Sequence, residues 1–149
     1  MKKLTNDKIK LSAQEFIDLL EGKKEHDPDY QQFHRSHLGA NSIVIDKIIV
    51  DEDVIISKSF HTTKPIIILG GVFQCFGIDS GVFLVFRIYG GVFLDFRINS
   101  GNFQNFRIYG GHFQNFRIDG GFFQNFRIDG GDFQYLKNNG GNYQNFRID

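Results

Sequence analysis

From Gly70 onward the chain repeats itself every ten residues, and no other feature limits its fold so tightly. Residues 110–119 read GGHFQNFRID, 120–129 GGFFQNFRID, 130–139 GGDFQYLKNN and 140–149 GGNYQNFRID. Phe recurs at 73, 83, 93, 103, 113, 123 and 133, with Tyr143 closing the series. A second Phe recurs at 76, 86, 96, 106, 116, 126 and 146, with Leu136 in the gap. Ile follows at 78, 88, 98, 108, 118, 128 and 148, interrupted by Asn138. A short unit of this kind cannot enclose a core alone. Its apolar residues must be buried against neighbouring copies, so the pattern predicts a stacked solenoid.

The period halves into two pentads, Gly-x-Phe-Gln-Asn and Phe-Arg-Ile-Asp-Gly. In each, the first and third residues fall on one side of a short strand, and the others are polar or Gly. The pentads end alternately in Asn and Gly, both of which tolerate positive φ and so suit corners. The sequence thereby resembles the pentapeptide-repeat family. Phe73, Ile78 and their successors match its central inward residue, and Gly71, Gly81 and Gly91 match its small inward partner. The resemblance implies a right-handed parallel β-helix, four pentads to a coil. In the alternate pentads Phe76, Phe86 and Phe96 occupy the small position, which leaves a flattened coil or a ten-residue coil as alternatives to a square one. Twenty residues per coil is the expectation, because a ten-residue coil must enclose two Phe and one Ile in very little width. Phe73, Phe93, Phe113 and Phe133 would then stack in one column, and Phe83, Phe103, Phe123 and Tyr143 in another.

Before Gly70 the pentad phase continues as Ile43-x-Ile45, Ile48-x-Val50, Asp53-x-Ile55 and Lys58-x-Phe60. It slips by three residues near Thr63, Lys64 and Pro65 and resumes at Ile66-x-Ile68. The solenoid is therefore expected over residues 43–149, with an outward bulge near Pro65, where a missing N–H is tolerated. The alternative is an ordinary strand pair leading into the repeats. Residues 1–42 form a separate N-terminal segment, read as a small helical cap. Ser12-Ala13-Gln14-Glu15 is a capping box, Ala13, Phe16, Leu19 and Leu20 make one apolar stripe, and Gly22 ends the helix. Asp27-Pro28 opens a second helix carrying Tyr30, Phe33 and His34 or His37, stopped at Gly39. Such a cap covers the strand edges and apolar core of a first coil.

The 149 residues carry 17 Lys+Arg and 17 Asp+Glu, a formal net charge of zero. This argues against a strongly basic nucleic-acid binder and a wholly acidic mimic. One cysteine, Cys75, rules out an intramolecular disulfide framework, and its place in the repeat suggests a spectator. No apolar run approaches the ~18 residues of a membrane span, and no apolar stretch follows MKKLTNDKIKL as in a secretory signal. The expected location is cytoplasmic, with no membrane partner. His26, His34 and His37 lie close together, but no HExxH or nearby Cys accompanies them, so helix packing is the preferred reading. The Gly pairs precede neither Lys-Ser nor Lys-Thr nor a helix start, which removes a phosphate loop. A Phe intrudes where calcium-binding nonapeptides need Asp. Ice-binding Thr ladders are absent, since no Thr follows Gly70. No carboxylate pair, Ser/His/Asp grouping or cofactor fingerprint points to an enzyme, and no cofactor is expected.

The most regular polar feature is an arginine ladder: Arg87, Arg97, Arg107, Arg117, Arg127 and Arg147, with Lys137 in register. Twenty residues per coil divides it into two columns on opposite faces, with neighbours only ~4.8 Å apart at the backbone. Asp119, Asp129 and Asp149 lie two residues beyond an Arg and are placed to compensate. The early repeats also break polarity: Val82, Leu84 and Val85 are expected on one outer face, and Val72, Val92 and Leu94 on the other. Such patches need cover, from the N-terminal segment or from a partner. At the far end Tyr143, Phe146 and Ile148 are expected to be exposed with strand edges, which suggests either end-to-end self-association as a two-fold homodimer or a natural protein that continues beyond this point. The functional expectation is a non-catalytic structural or protein-interaction solenoid. The alternative is an anion or nucleic-acid binder using the Arg columns. The family resemblance adds a third reading, a DNA mimic directed at type II topoisomerases, which ranks below both because the repeat region has no Glu and nearly cancelling charge.

Overall fold

The structure, a computed structural model, describes residues 2–3, 9–23, 42–57, 60, 62 and 64–149. The second helix expected from Asp27 to Gly39, with His26, His34 and His37, lies outside the described residues, as do Lys58 and Thr63. The chain forms β1 (Lys2–Lys3), β2 (Ile9–Lys10), α1 (Ala13–Leu20), β3 (Ile43–Ile45), β4 (Ile48–Ile56) and β5 (Ile66–Ile68). Then come β6 (Val72–Ile78), β7 (Val82–Ile88), β8 (Val92–Ile98), β9 (Asn102–Ile108), β10 (His112–Ile118) and β11 (Phe122–Ile128). The last elements are β12 (Asp132–Phe133), β13 (Leu136–Asn138) and β14 (Asn142–Ile148).

From β2 to β12 successive strands alternate between two sheets. The first runs β1-β2-β4-β6-β8-β10-β12, with β13 also on β10; the second runs β3-β5-β7-β9-β11-β14. Every pairing is parallel except β1 with β2. The result is a parallel β-solenoid of about five turns with about twenty residues per turn. Phe73 pairs with Phe93, Phe93 with Phe113 and Phe113 with Phe133, so identical side chains lie directly over one another.

The core follows from that register. Phe73, Phe93, Phe113 and Phe133 stack with ring centroids 4.7–4.9 Å apart, and Phe83, Phe103, Phe123 and Tyr143 stack at 4.8–4.9 Å. Within a coil the two Phe of one strand meet edge to face, as Phe113 and Phe116 do at 5.4 Å and 76°. Both offset-stacked and edge-to-face pairs suit the ring quadrupole. Each strand points its first Phe, second Phe and Ile inward, with two consecutive outward residues between the Phe.

The Asn that ends alternate pentads is not a left-handed corner. Lys47 is the only described non-glycine residue with positive φ. Strands run seven residues through the Asn position, and the tight corners fall at the Gly positions alone. The coil is therefore two-sided. Gly111 shows why a glycine is needed there: its φ is +117°, and a β-carbon would stand 3.2 Å from the ring of Phe113. The preceding Gly110 has a different reason. A β-carbon there would lie 2.8 Å from the carbonyl oxygen of Tyr89 in the coil before.

Two departures from the expected phase lie in the first coils. Asp53 and Ile55 do not face inward; Val54 and Ile56 do, and Ile55 is 54% exposed. The cause is a bulge in β4 between Val50 and Asp53, which shifts the alternation by one residue. The extra length frees Asp51 to pair with Lys10 (2.8 Å) and Glu52 to accept the Ala13 N–H (2.8 Å) at the start of α1. The slip near Pro65 is as expected. Ile43 pairs with Ile66, three residues farther along than the twenty that separate Ile66 from Phe86.

The N-terminal end is plugged. The Ser12 hydroxyl accepts the Glu15 N–H and the Glu15 carboxylate accepts the Ser12 N–H, which completes the capping box of α1. The helix buries Phe16, Leu19 and Leu20. Phe16 packs on Phe73 (5.1 Å) and Phe76 (5.6 Å), and Phe60 stacks on Phe83 (5.4 Å). The columns that begin at Phe73 and Phe83 thus each end on a Phe from outside the decapeptide repeat.

Candidate interaction surface

Outward residues inherit the same register, so each polar type also forms a ladder. The Arg ladder divides as expected: Arg87, Arg107, Arg127 and Arg147 on the second sheet, Arg97, Arg117 and Lys137 on the first. Repulsion along the second-sheet column is relieved by aspartates at the following corner. The Nε of Arg107 and of Arg127 both donate to Asp129, each at 2.6 Å. Arg127 also reaches Asp149 at 3.5 Å, and Arg147 Nε donates to Asp149 at 2.9 Å. On the other column Arg117 Nε donates to Asp119 at 2.7 Å, and Asn139 donates to the same carboxylate at 2.8 Å.

The protonation equilibria follow these contacts. Partial desolvation raises the Asp129 carboxyl, but hydrogen bonds from Arg107 and Arg127 outweigh it and leave the group below the usual carboxylate range. The Asn139 and Arg117 hydrogen bonds lower Asp119 in the same way. Hydrogen bonding to Asp129 raises Arg127. Cys75 is half-buried, and desolvation together with Asp53 and Asp95 pushes its thiol up, opposite to the shift that makes a cysteine reactive.

Arg87 lacks these carboxylates. Tyr89 and Tyr109 stand where Asp129 and Asp149 stand for Arg127, and they stack on each other at 4.4 Å. The Arg107 guanidinium lies 4.3 Å from the Tyr109 ring centroid. Amide ladders complete the surface. Asn125 donates to Asn105 (3.2 Å), Asn145 to Asn125 (3.0 Å), Asn115 to Asp95 (3.1 Å) and Asn99 to Asp79 (2.6 Å). A ten-residue reading hides this corner column. Read every twenty residues, the sequence Asp79, Asn99, Asp119, Asn139 shows the alternation of acceptor and donor directly.

Val82, Leu84 and Val85 lie on the second sheet, with Val82 53% and Leu84 41% exposed. Val72, Val92 and Leu94 lie on the first, with Leu94 exposed and the valines half-buried. Val44 and Ile67 stand in register with Arg87 on the outer side of the second sheet and are nonetheless buried, so that face is covered beside the first coils. At the other end Leu136, Phe146 and Ile148 are exposed, whereas Tyr143 is half-buried. Partial burial holds the Tyr143 phenol above its ordinary value.

Among the described residues no helix is long and apolar enough to cross a membrane, and no group of three His, Cys, Asp or Glu is placed to hold a metal ion. Compared with family models, curated proteins and solved structures, the chain matches none of them.

Proposed function

We propose that this chain is a non-catalytic protein-interaction module: a stiff, pentapeptide-repeat-like solenoid that offers a partner protein a lattice of fixed polar ladders. The twenty-residue coil and the inward central residues, alternately Phe and Ile, support the repeat type. The observation that carries the functional reading is the interleaving of Arg107, Arg127 and Arg147 with Asp129 and Asp149. An arginine column built for phosphates leaves its guanidinium groups free. Here the chain's own carboxylates take them, and what remains for a partner is shape, amide groups and the Val82, Leu84 and Val85 cluster. A topoisomerase-directed DNA mimic ranks lower, since seven Lys and Arg offset six Asp from Gly70 onward.

One observation favours the anion-binding alternative: the positions that hold Asp129 and Asp149 beside Arg127 hold Tyr89 and Tyr109 in the repeats of Arg87. Titration of the chain with mixed-sequence duplex DNA and with heparin across a salt series separates the two. The interaction-module reading expects weak binding with a shallow salt dependence. A steep linear fall of log affinity with log salt, reduced by Arg87→Gln, would establish phosphate contacts and overturn it.

A further inference from the structure

One strand of the second sheet departs from the repeat at its outward positions and in its charge balance together. The later strands of that sheet carry Gln104 and Asn105, Gln124 and Asn125, or Gln144 and Asn145 before the arginine. Strand β7 carries Leu84 and Val85 there, preceded by Val82. Val82 is 53% exposed and Leu84 41%. The later arginines of the column are also neutralised from within the chain: Asp129 binds Arg107 and Arg127, and Asp149 binds Arg127 and Arg147. Among the described residues no carboxylate is bonded to Arg87, and Tyr89 and Tyr109 fill the positions that Asp129 and Asp149 hold beside Arg127. The arginine of this column without an anion is therefore the one on the apolar strand.

Its neighbours reinforce the contrast. Val85 stands two residues before Arg87 on the same outer side, and the buried Ile67 is its partner in register on β5. An ion pair formed beside apolar groups is screened less by water than one in open solvent. The apolar patch of the first sheet is built differently. Asp95 follows Leu94 directly and stands two residues before Arg97, so that strand brings its own carboxylate.

We infer that the outer side of β7 docks a segment of a partner protein that carries apolar side chains and, about 10 Å farther along, a carboxylate. This rests on the interaction-module reading and names the chemistry of the partner. The spacing follows from Leu84 and Arg87, three residues apart on one strand at about 3.3 Å per residue. The partner's apolar side chains cover Val82, Leu84 and Val85, and its carboxylate meets the planar fork of the Arg87 guanidinium. Both halves are needed. A polyanion without apolar groups leaves the Leu84 cluster in water, and an apolar segment without a carboxylate desolvates Arg87 without pairing it.

Fluorescence anisotropy of the full chain with three labelled peptides tests it. The first has two Leu followed, three residues on, by two Glu; the second replaces Glu with Gln, and the third replaces Leu with Ser. The first is expected to bind at least about tenfold more tightly than either of the others. Arg87→Gln and Leu84→Gln/Val85→Asn, the latter restoring the repeat consensus, are each expected to remove that preference. Tyr109→Asp is expected to do the same while keeping Arg87, by supplying the carboxylate that Asp129 supplies to Arg107. Leu94→Gln, on the other sheet, is expected to change nothing. Far-ultraviolet circular dichroism checks that each variant keeps the fold. No binding of the first peptide, equal affinity for all three, or an Arg87→Gln chain that still prefers the first would overturn the inference. If duplex DNA and heparin also bind weakly, that result leaves the interaction-module reading standing. Tight binding of the Ser-Glu peptide together with DNA and heparin would overturn both.

Discussion

The ring of Phe113 folds back over Gly111, so close that a β-carbon on the glycine would stand 3.2 Å from it. One residue type supplies the left-handed turn, and the space it leaves is filled by the core residue two places on. Replacing Gly111 with Ala therefore strains the backbone and displaces a ring. The expected cost is about 2–4 kcal/mol by denaturant unfolding. Gly77 is the control. Its φ is not positive and its nearest obstacle is a carbonyl oxygen at 3.5 Å, so Gly77→Ala is expected to be neutral or mildly stabilising. Equal costs at the two positions would remove the proposed role of the corner glycines.

Truncation of the aromatic columns is expected to depend on place rather than on residue type. Phe113 is buried between Phe93 and Phe133 and meets Phe116 edge-on. Phe113→Ala is expected to cost about 3–5 kcal/mol. Phe146 stacks on Phe126 but is 44% exposed, and Phe146→Ala is expected to cost about 1–2 kcal/mol. Paired unfolding curves measure the difference, and a cheap Phe113→Ala would show that the columns carry little of the stability.

Acid should unzip the arginine columns before it unfolds the core. The folded-state carboxyls of Asp119 and Asp129 lie below their unfolded values. Their contribution is therefore complete above the unfolded aspartate range, near about pH 4, and is lost as pH falls through the folded values. Asp119→Asn/Asp129→Asn is expected to melt below wild type at neutral pH and low salt. The two melting temperatures are expected to converge in acid and, through screening, in high salt. A gap that stays constant from neutral pH into strong acid would mean that these pairs do not stabilise the fold.

Period and side-chain type together made most of the solenoid legible. Two Phe and one Ile per ten residues fit poorly in a ten-residue coil, so volume favoured stacking every twenty residues, with the columns that begin at Phe73 and Phe83, over the ten-residue alternative. The capping box of α1 was legible because Ser12 and Glu15 act within four residues. The bulge in β4 was not, since Asp53 and Val54 compete for the inward position and only the partner strand β6 decides between them. The Asn corners failed for a related reason. Tolerance of positive φ permits a corner but does not require one, and Asn115 instead points outward and donates to Asp95. The Arg–Asp pairs were visible two residues apart, while the cross-coil half of each, such as Arg107 with Asp129, needed the coil length first.

Because each strand pairs with the strand two repeats away, the chain has a parity. Duplicating or deleting twenty residues keeps every later side chain on its own face. Duplicating or deleting ten sends each of them to the opposite sheet. Core residues would survive that exchange almost unchanged, since both sheets present the same Phe, Phe and Ile inward. The outer surface would not: Asp129 would leave the column it shares with Arg107, and the tyrosine pair would face a different row of amides. The interior is thus indifferent to odd changes in repeat number, and the surface chemistry alone registers whether the count is odd or even.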